Sequence, residues 1–73
     1  RGLGDVYKRQ ALCHQHLNNY DQALIFYNKA LSIKPDYAEA YNNMGIALKE
    51  QGKSENAIKA YNKAIAIKRL TPV

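Results

Sequence analysis

The chain has 73 residues, a formal net charge of +5, 47% hydrophobic residues and 23% charged ones. That leaves room for one small domain, excludes a disordered tail and, because Cys13 is the single cysteine, excludes an internal disulfide. No stretch approaches the run of roughly 18 apolar residues that a membrane span needs, and Arg1 to Gln10 lacks the apolar core of a secretory leader.

A domain this short buries only about 60% of the surface that its unfolded chain exposes, so it depends on some further stabiliser. An internal repeat suggests what that is. Displaced by 34 positions, the chain coincides with itself at eight residue pairs: Tyr7/Tyr41, Ala23/Ala57, Tyr27/Tyr61, Asn28/Asn62, Lys29/Lys63, Ala30/Ala64, Ile33/Ile67 and Lys34/Lys68. Seven of the eight fall between Ala23 and Lys34, so the match is strongest in the second half of each unit.

In chain order, the pattern predicts helices over about 5–17, 21–34, 38–51 and 55–68. The first is the least regular. Gly2 and Gly4 disfavour a helix by about 1 kcal/mol each relative to alanine, and Gln10 stands where the repeat wants a buried leucine. The string from Arg1 to Gln10 resembles translated sequencing-adapter read-through, so residues 1–10 are expected to be non-native or irregular. Without Arg1, Lys8, Arg9 and Asp5, eight basic residues face five acidic ones, a net +3. That is thin ground for nucleic-acid binding. Asn18-Asn19 takes the place of a glycine turn, which asparagine tolerates because it visits the left-handed region.

The second helix carries Ala23, Leu24, Tyr27, Ala30, Leu31 and Ile33 on one face. Pro35, then Asp36 with Glu39 three residues on, predicts a capping box at the start of the third helix. There Ala40, Tyr41, Met44, Ala47 and Leu48 follow helical i, i+3, i+4 spacing. Gly52 is expected to end that helix in the left-handed conformation. Ser54 is expected to cap the fourth helix, with Glu55 in its first turn. The two-residue link Gly52-Lys53 forces the flanking helices to lie antiparallel.

Metal and nucleophile chemistry find little support. Cys13 and His16 could share a helix face, but structural zinc needs four ligands and no second pair exists. Cys13 aligns with Ala47 and is expected to be a buried, inert thiol. His14, aligned with Leu48, is expected to pack as an aromatic filler, and His16 to be solvated. A Cys–His nucleophile would lack an orienting third group and an oxyanion hole. No P-loop, dinucleotide fingerprint or carboxylate pair is present, so the chain is not expected to be an enzyme or to bind a cofactor or metal. The tyrosines at repeat positions serve packing rather than base stacking. Tyr20 and Tyr37 are expected to staple neighbouring helices.

The spacing resembles the tetratricopeptide repeat, over about residues 11–68. Tyr41 stands at that repeat's opening aromatic, Met44-Gly45 at its Leu-Gly and Leu48 at its following tyrosine. Ala57, Tyr61 and Ala64 match in the second unit, and Ala23, Tyr27, Ala30 and Pro35 in the first. The small residues let helix backbones approach, while Tyr41, Tyr61 and Met44 fill the gaps between them. The resemblance implies an all-α fold of two antiparallel helix-turn-helix units, residues 4–37 and 38–71, with a tail at 69–73. Such a pair is a fragment of a right-handed α-solenoid, stabilised by neighbouring repeat units.

The resemblance also implies a protein–protein interaction module. Its first helices line a concave groove for a peptide or protein, with Glu39, Asn42, Asn43, Ile46 and Lys49 as candidate groove residues. Asn43 matches an asparagine that peptide-binding members use on a ligand backbone or terminal carboxylate. Leu12 replaces a second such asparagine and Lys8 lies in the suspect segment, so a full carboxylate clamp is not assembled. Residues 35–53 look like arrays found beside glycosyltransferase and sulfotransferase domains, which implies an alternative role as the substrate-recruiting arm of a larger enzyme. A third class, the RNA-binding helical repeats, is disfavoured by the 34-residue period, Gly45 and the modest charge. No membrane partner is expected. The lone cysteine is compatible with a reducing compartment, a slight tilt toward the cytoplasm that decides nothing.

Overall fold

The structure is a computed structural model and describes residues 2–70. Four helices follow one another: α1 Leu3–His16, α2 Tyr20–Ile33, α3 Ala38–Glu50 and α4 Ser54–Leu70. They pair as α1 with α2 and α3 with α4, and the two hairpins meet chiefly through α2 and α3. The expected all-α pair of helix-turn-helix units is therefore present.

The boundaries differ from expectation at both ends. The expected first helix is present and starts earlier than about residue 5, since α1 begins directly after Gly2 and takes in residues 3–10. Gly4 is buried within it. At the far end, Arg69 and Leu70 continue α4 instead of starting a tail. Residues 71–73, the rest of that expected tail and the end of the second unit, lie outside the described residues.

Both intra-unit turns close by the same hydrogen-bond pattern. After α3, Gly52 adopts φ 80°, its N–H donates to the Lys49 carbonyl at 2.9 Å, and the Lys53 N–H donates to Leu48 at 2.9 Å. This paired satisfaction of the last carbonyls is the Schellman arrangement. After α1, Asn18 takes the left-handed position at φ 64°, with Asn18 N–H to Gln15 at 3.0 Å and Asn19 N–H to His14 at 2.8 Å. Asparagine thus does in the first unit what glycine does in the second.

The helix starts are a correction. The Asp36–Glu39 capping box does not form, because Tyr37 occupies the cap of α3 and no side chain caps that end. Asp36 instead sits in a turn, Lys34-Pro35-Asp36-Tyr37, closed by the Tyr37 N–H to the Lys34 carbonyl at 3.1 Å. Proline's fixed φ suits the second position of such a turn and forces Lys34 out of the helical region. Pro35 is exposed, so it sets the turn and does not pack between helices. Ser54 is the first residue of α4 rather than its cap, the Lys53 carbonyl accepting from the Ala57 N–H at 3.0 Å.

The core is built from small residues around tyrosine. Ala11, Ala23, Tyr27, Ala30, Tyr37, Ala40 and Ala47 form one cluster, with Tyr7, Leu24, Leu31 and Met44 packed against it. Leu48, Ala57 and Ala60 form a second, which shares Leu24 and Met44 with the first and adds Tyr61. Ala64 is also buried, while Tyr41 is half-buried beneath the Lys63 ammonium, 5.5 Å from its ring centre. Alanine at so many buried positions keeps the helix axes close, and the aromatic rings fill the remaining volume.

Candidate functional site

Helix α3 has two faces with different duties. Ala40, Met44, Ala47 and Leu48 turn inward. Glu39, Asn42, Asn43, Ile46 and Lys49 recur at helical spacing on the other side. Glu39, Asn42, Ile46 and Lys49 are exposed, and Asn43 is half-buried. The five expected groove residues therefore share one accessible face.

Helix α1 lies beside α3 and brings Asp5 and Lys8 to the start of that helix. Two polar contacts tie the units together on this side, and on another Gln51 Nε2 donates to Asp21 Oδ1 at 2.7 Å. Lys8 Nζ donates to Glu39 Oε1 at 2.9 Å, and the Tyr37 hydroxyl donates to Asp5 Oδ1 at 2.5 Å. The bond from Tyr37 holds the Asp5 carboxyl below its ordinary range, while the bond to Glu39 raises the Lys8 ammonium. Burial, and then the bond to Asp5, raises the Tyr37 phenol. Lys8 and Lys34 each place an ammonium near the Tyr37 ring, at 5.6 and 4.8 Å from its centre. Tyr37 is thus the inter-helix staple expected of it. Its partners Asp5 and Lys8 were missed because they lie in the segment where the repeat pattern fails.

At the foot of α3, a cleft of about 720 Å³ opens toward the end of α4. Lys34, Tyr37, Glu39, Asn42, Ile67 and Lys68 are among the residues that line it. Only Glu39 and Asn42 of the five groove candidates reach this cleft. Asn43, Ile46 and Lys49 lie further along the same helix.

The histidines and the cysteine resolve differently from one another. His14 stacks on Phe26, ring centres 5.3 Å apart and planes 6° from parallel, as an aromatic filler should. His16 is exposed. Cys13 is exposed too, against expectation. Its repeat equivalent Ala47 is covered by the first unit, whereas Cys13 lies on the side of α1 turned away from the second. Among the described residues no group of three or more His, Cys, Asp or Glu side chains could hold a metal ion. No described helix is long and apolar enough to cross a membrane.

Residues 3–69 match the family model described as tetratricopeptide repeat. The chain belongs to the tetratricopeptide repeat family. Solved structures agree: a crystal structure of MamA superposes with a TM-score of 0.87 at 30% identity, covering 90% of this chain and 39% of that one. Among curated relatives, Small glutamine-rich tetratricopeptide repeat-containing protein 2 of Saccharomyces cerevisiae is 41% identical over 61 residues, 84% of this chain. A probable UDP-N-acetylglucosamine–peptide N-acetylglucosaminyltransferase of Arabidopsis thaliana is 44% identical over 52 residues, 71% of this chain. This tetratricopeptide chain spans 18% of the yeast relative's length and 5% of the Arabidopsis one's.

Proposed function

We propose that this chain is a protein-interaction segment whose first helices, α1 and α3, receive an extended peptide or a short element of a partner protein. The observation that carries the reading is the continuous outward face of α3. From Glu39 to Lys49 it offers a carboxylate, two amides, an exposed isoleucine and an ammonium, with none of the five fully buried. Amides can bond an extended backbone, Ile46 can take an apolar side chain, and the charges set register. Covalently linked neighbouring repeat units belong to the same proposal, because repeat arrays distribute a binding surface over several units.

Asn43 is the residue to test. Peptides selected from a displayed random library on the wild-type chain should bind Asn43→Ala about 5-fold more weakly, the loss of roughly one hydrogen bond of about 1 kcal/mol. The melting temperature should barely move, since Asn43 is only half-buried and no protein hydrogen bond of its side chain is needed for packing. Equal binding by both chains would remove Asn43 from the site. If instead the chain retarded single-stranded RNA at physiological salt, the RNA-binding alternative would replace this one.

The likeness to the Arabidopsis transferase favours a second reading, in which the segment recruits substrate for a modifying domain on a longer chain. The same library would then be enriched in peptides that such a domain modifies.

A further inference from the structure

The positive charge of the chain is shared unevenly among its helices. In the first helix of each unit, α1 and α3, the basic residues Lys8, Arg9 and Lys49 are matched by Asp5, Glu39 and Glu50. In the second helices the balance is lost. Lys29 and the capping residue Lys34 belong to α2, and Lys59, Lys63, Lys68 and Arg69 to α4, against Asp21 and Glu55. Both of those acids stand in a first helical turn, and the Asp21 carboxylate already accepts from the Gln51 amide. Past the first turn, α2 and α4 carry basic residues and no acidic one.

Three of these lysines lie on a surface that the packing of the units leaves open. Lys29 Nζ is 5.1 Å from the centre of the Phe26 ring and 5.7 Å from that of Tyr7. Lys63 Nζ is 5.5 Å from the centre of the Tyr41 ring. Tyr7 and Tyr41 are repeat equivalents, and so are Lys29 and Lys63, so each unit holds an ammonium on the opening tyrosine of its own first helix. Lys59 stands one turn before Lys63, where α2 has Ile25, itself 47% exposed. Helix α2 has α1 packed on one flank and α3 on another, yet Ile25 and Lys29 remain exposed. Their exposure therefore belongs to the outward side of a second helix that already has both neighbours. Lys59 and Lys63 hold the same positions on α4. Among the described residues the single ion pair is Lys8–Glu39, so no carboxylate there neutralises Lys29, Lys59 or Lys63.

We propose that the outward side of α2 and α4 is a second interaction surface, which takes a carboxylate-rich protein segment that also carries an apolar side chain. Charge complementarity supplies the first half of that description. An ammonium held against a ring has less side-chain freedom left to lose when a partner arrives. Ile25 supplies the second half, as an exposed apolar group beside the charges that a phosphate backbone would leave unused. Arginine, whose planar fork matches phosphate, provides only Arg69 among the six basic residues. The tyrosine rings that could stack a base are also engaged: Tyr27 is buried, Lys29 covers Tyr7 and Lys63 covers Tyr41. This surface is carried by different helices from the α3 face, and it stands or falls independently of a peptide bound there.

Fluorescence anisotropy with the 73-residue chain tests this. The probe is a labelled helical peptide of glutamate and leucine, and its control has glutamine at every glutamate. The glutamate peptide should bind at low salt and weaken as salt rises, and the glutamine peptide should not bind. Lys29→Gln/Lys59→Gln/Lys63→Gln should bind the glutamate peptide about 10-fold more weakly, three exposed ion pairs being lost, with the wild-type helical circular dichroism retained. Lys59→Gln alone leaves both ring contacts in place and should weaken binding about 2-fold. Lys49→Gln, on the α3 face, should bind the peptide as the wild type does. Equal binding by the triple variant and the wild type would overturn the proposal, as would no binding of the glutamate peptide or an equal loss in Lys49→Gln. Tighter binding of single-stranded oligothymidylate, or of phosphatidylserine vesicles, than of the peptide would overturn it too, assigning the surface to nucleic acid or to a membrane.

Discussion

Gly45 and Tyr27 show how much of this small fold rests on single side chains. A methyl carbon added at Gly45 would lie 2.7 Å from Tyr61 Cε1 and 2.9 Å from Cδ1, so the ring sits on the glycine backbone. Gly45→Leu must therefore displace Tyr61 and part the helices of the second unit, at a cost of about 1–3 kcal/mol. Thermal unfolding would read this, and an unchanged melting temperature would show that Tyr61 does not pack there. Tyr27 is 0% exposed, and its hydroxyl donates to Gln15 Oε1 at 2.6 Å. Burial pushes its phenol from the ordinary 10.0 to about 12. The folded state thus holds a proton that the unfolded state releases, so this contribution is intact below pH 10.0 and is lost as the pH rises toward about 12. The loss amounts to about 2–3 kcal/mol. Denaturant titrations across that range should show the fall in wild type and a shallower one in Tyr27→Phe, which at neutral pH is weaker by about 0.5–1.5 kcal/mol for the lost bond. Equal slopes would separate the alkaline transition from Tyr27.

At the scale of the element, identical substitutions should act in opposite directions. Gly4 is helical, and a carbon added there would meet its nearest neighbours at an ordinary 3.9 Å. Gly4→Ala should therefore stabilise the chain by about 0.5–1 kcal/mol, the conformational cost of glycine in a helix. Gly52 has open space around it but stands at φ 80°, where an L-residue is strained by about 1–2 kcal/mol. Gly52→Ala should destabilise by that amount, and Gly52→Asn by less, as Asn18 already demonstrates at the matching turn. Chemical denaturation of the three variants decides the signs. The helix ends also show which local signals carried. Gly52 and Asn18-Asn19 were legible, because left-handed residues are few and their turn needs nothing from afar. The Asp36–Glu39 box was not, because Tyr37 is drawn into the core between the units and takes the cap position with it.

For the whole molecule, the order of the helices sets the order of stability. The side chains with no exposed surface, among them Ala23, Tyr27, Ala30, Ala40 and Ala47, centre on the α2–α3 junction. The buried alanines of α4, at positions 57, 60 and 64, all retain a little exposure. A quasi-one-dimensional stack opens from its ends. Amide hydrogen exchange should accordingly be slowest in α2 and α3 and fastest in α4 beyond Ala64. Uniform protection of all four helices would mean that the chain unfolds as a single unit. The candidate groove scales in the same way, since the Lys8–Glu39 pair at its start crosses from one unit to the other.

By itself the sequence determined the repeat, the four helices, the left-handed turn residues and the apolar faces of α2 and α3. These follow from periodicity, glycine and side-chain size, all of which act within a few residues of one another. It also placed Glu39, Asn42, Asn43, Ile46 and Lys49 on one side of α3, because helical spacing alone fixes that. Only the tertiary structure decided that residues 3–10 join the fold, that Tyr37 reaches Asp5 and that Cys13 is exposed while Ala47 is buried. Each of these depends on what lies across from a helix. Two equivalent positions in a repeat share a local geometry, but their burial is set by a neighbour that one has and the other lacks.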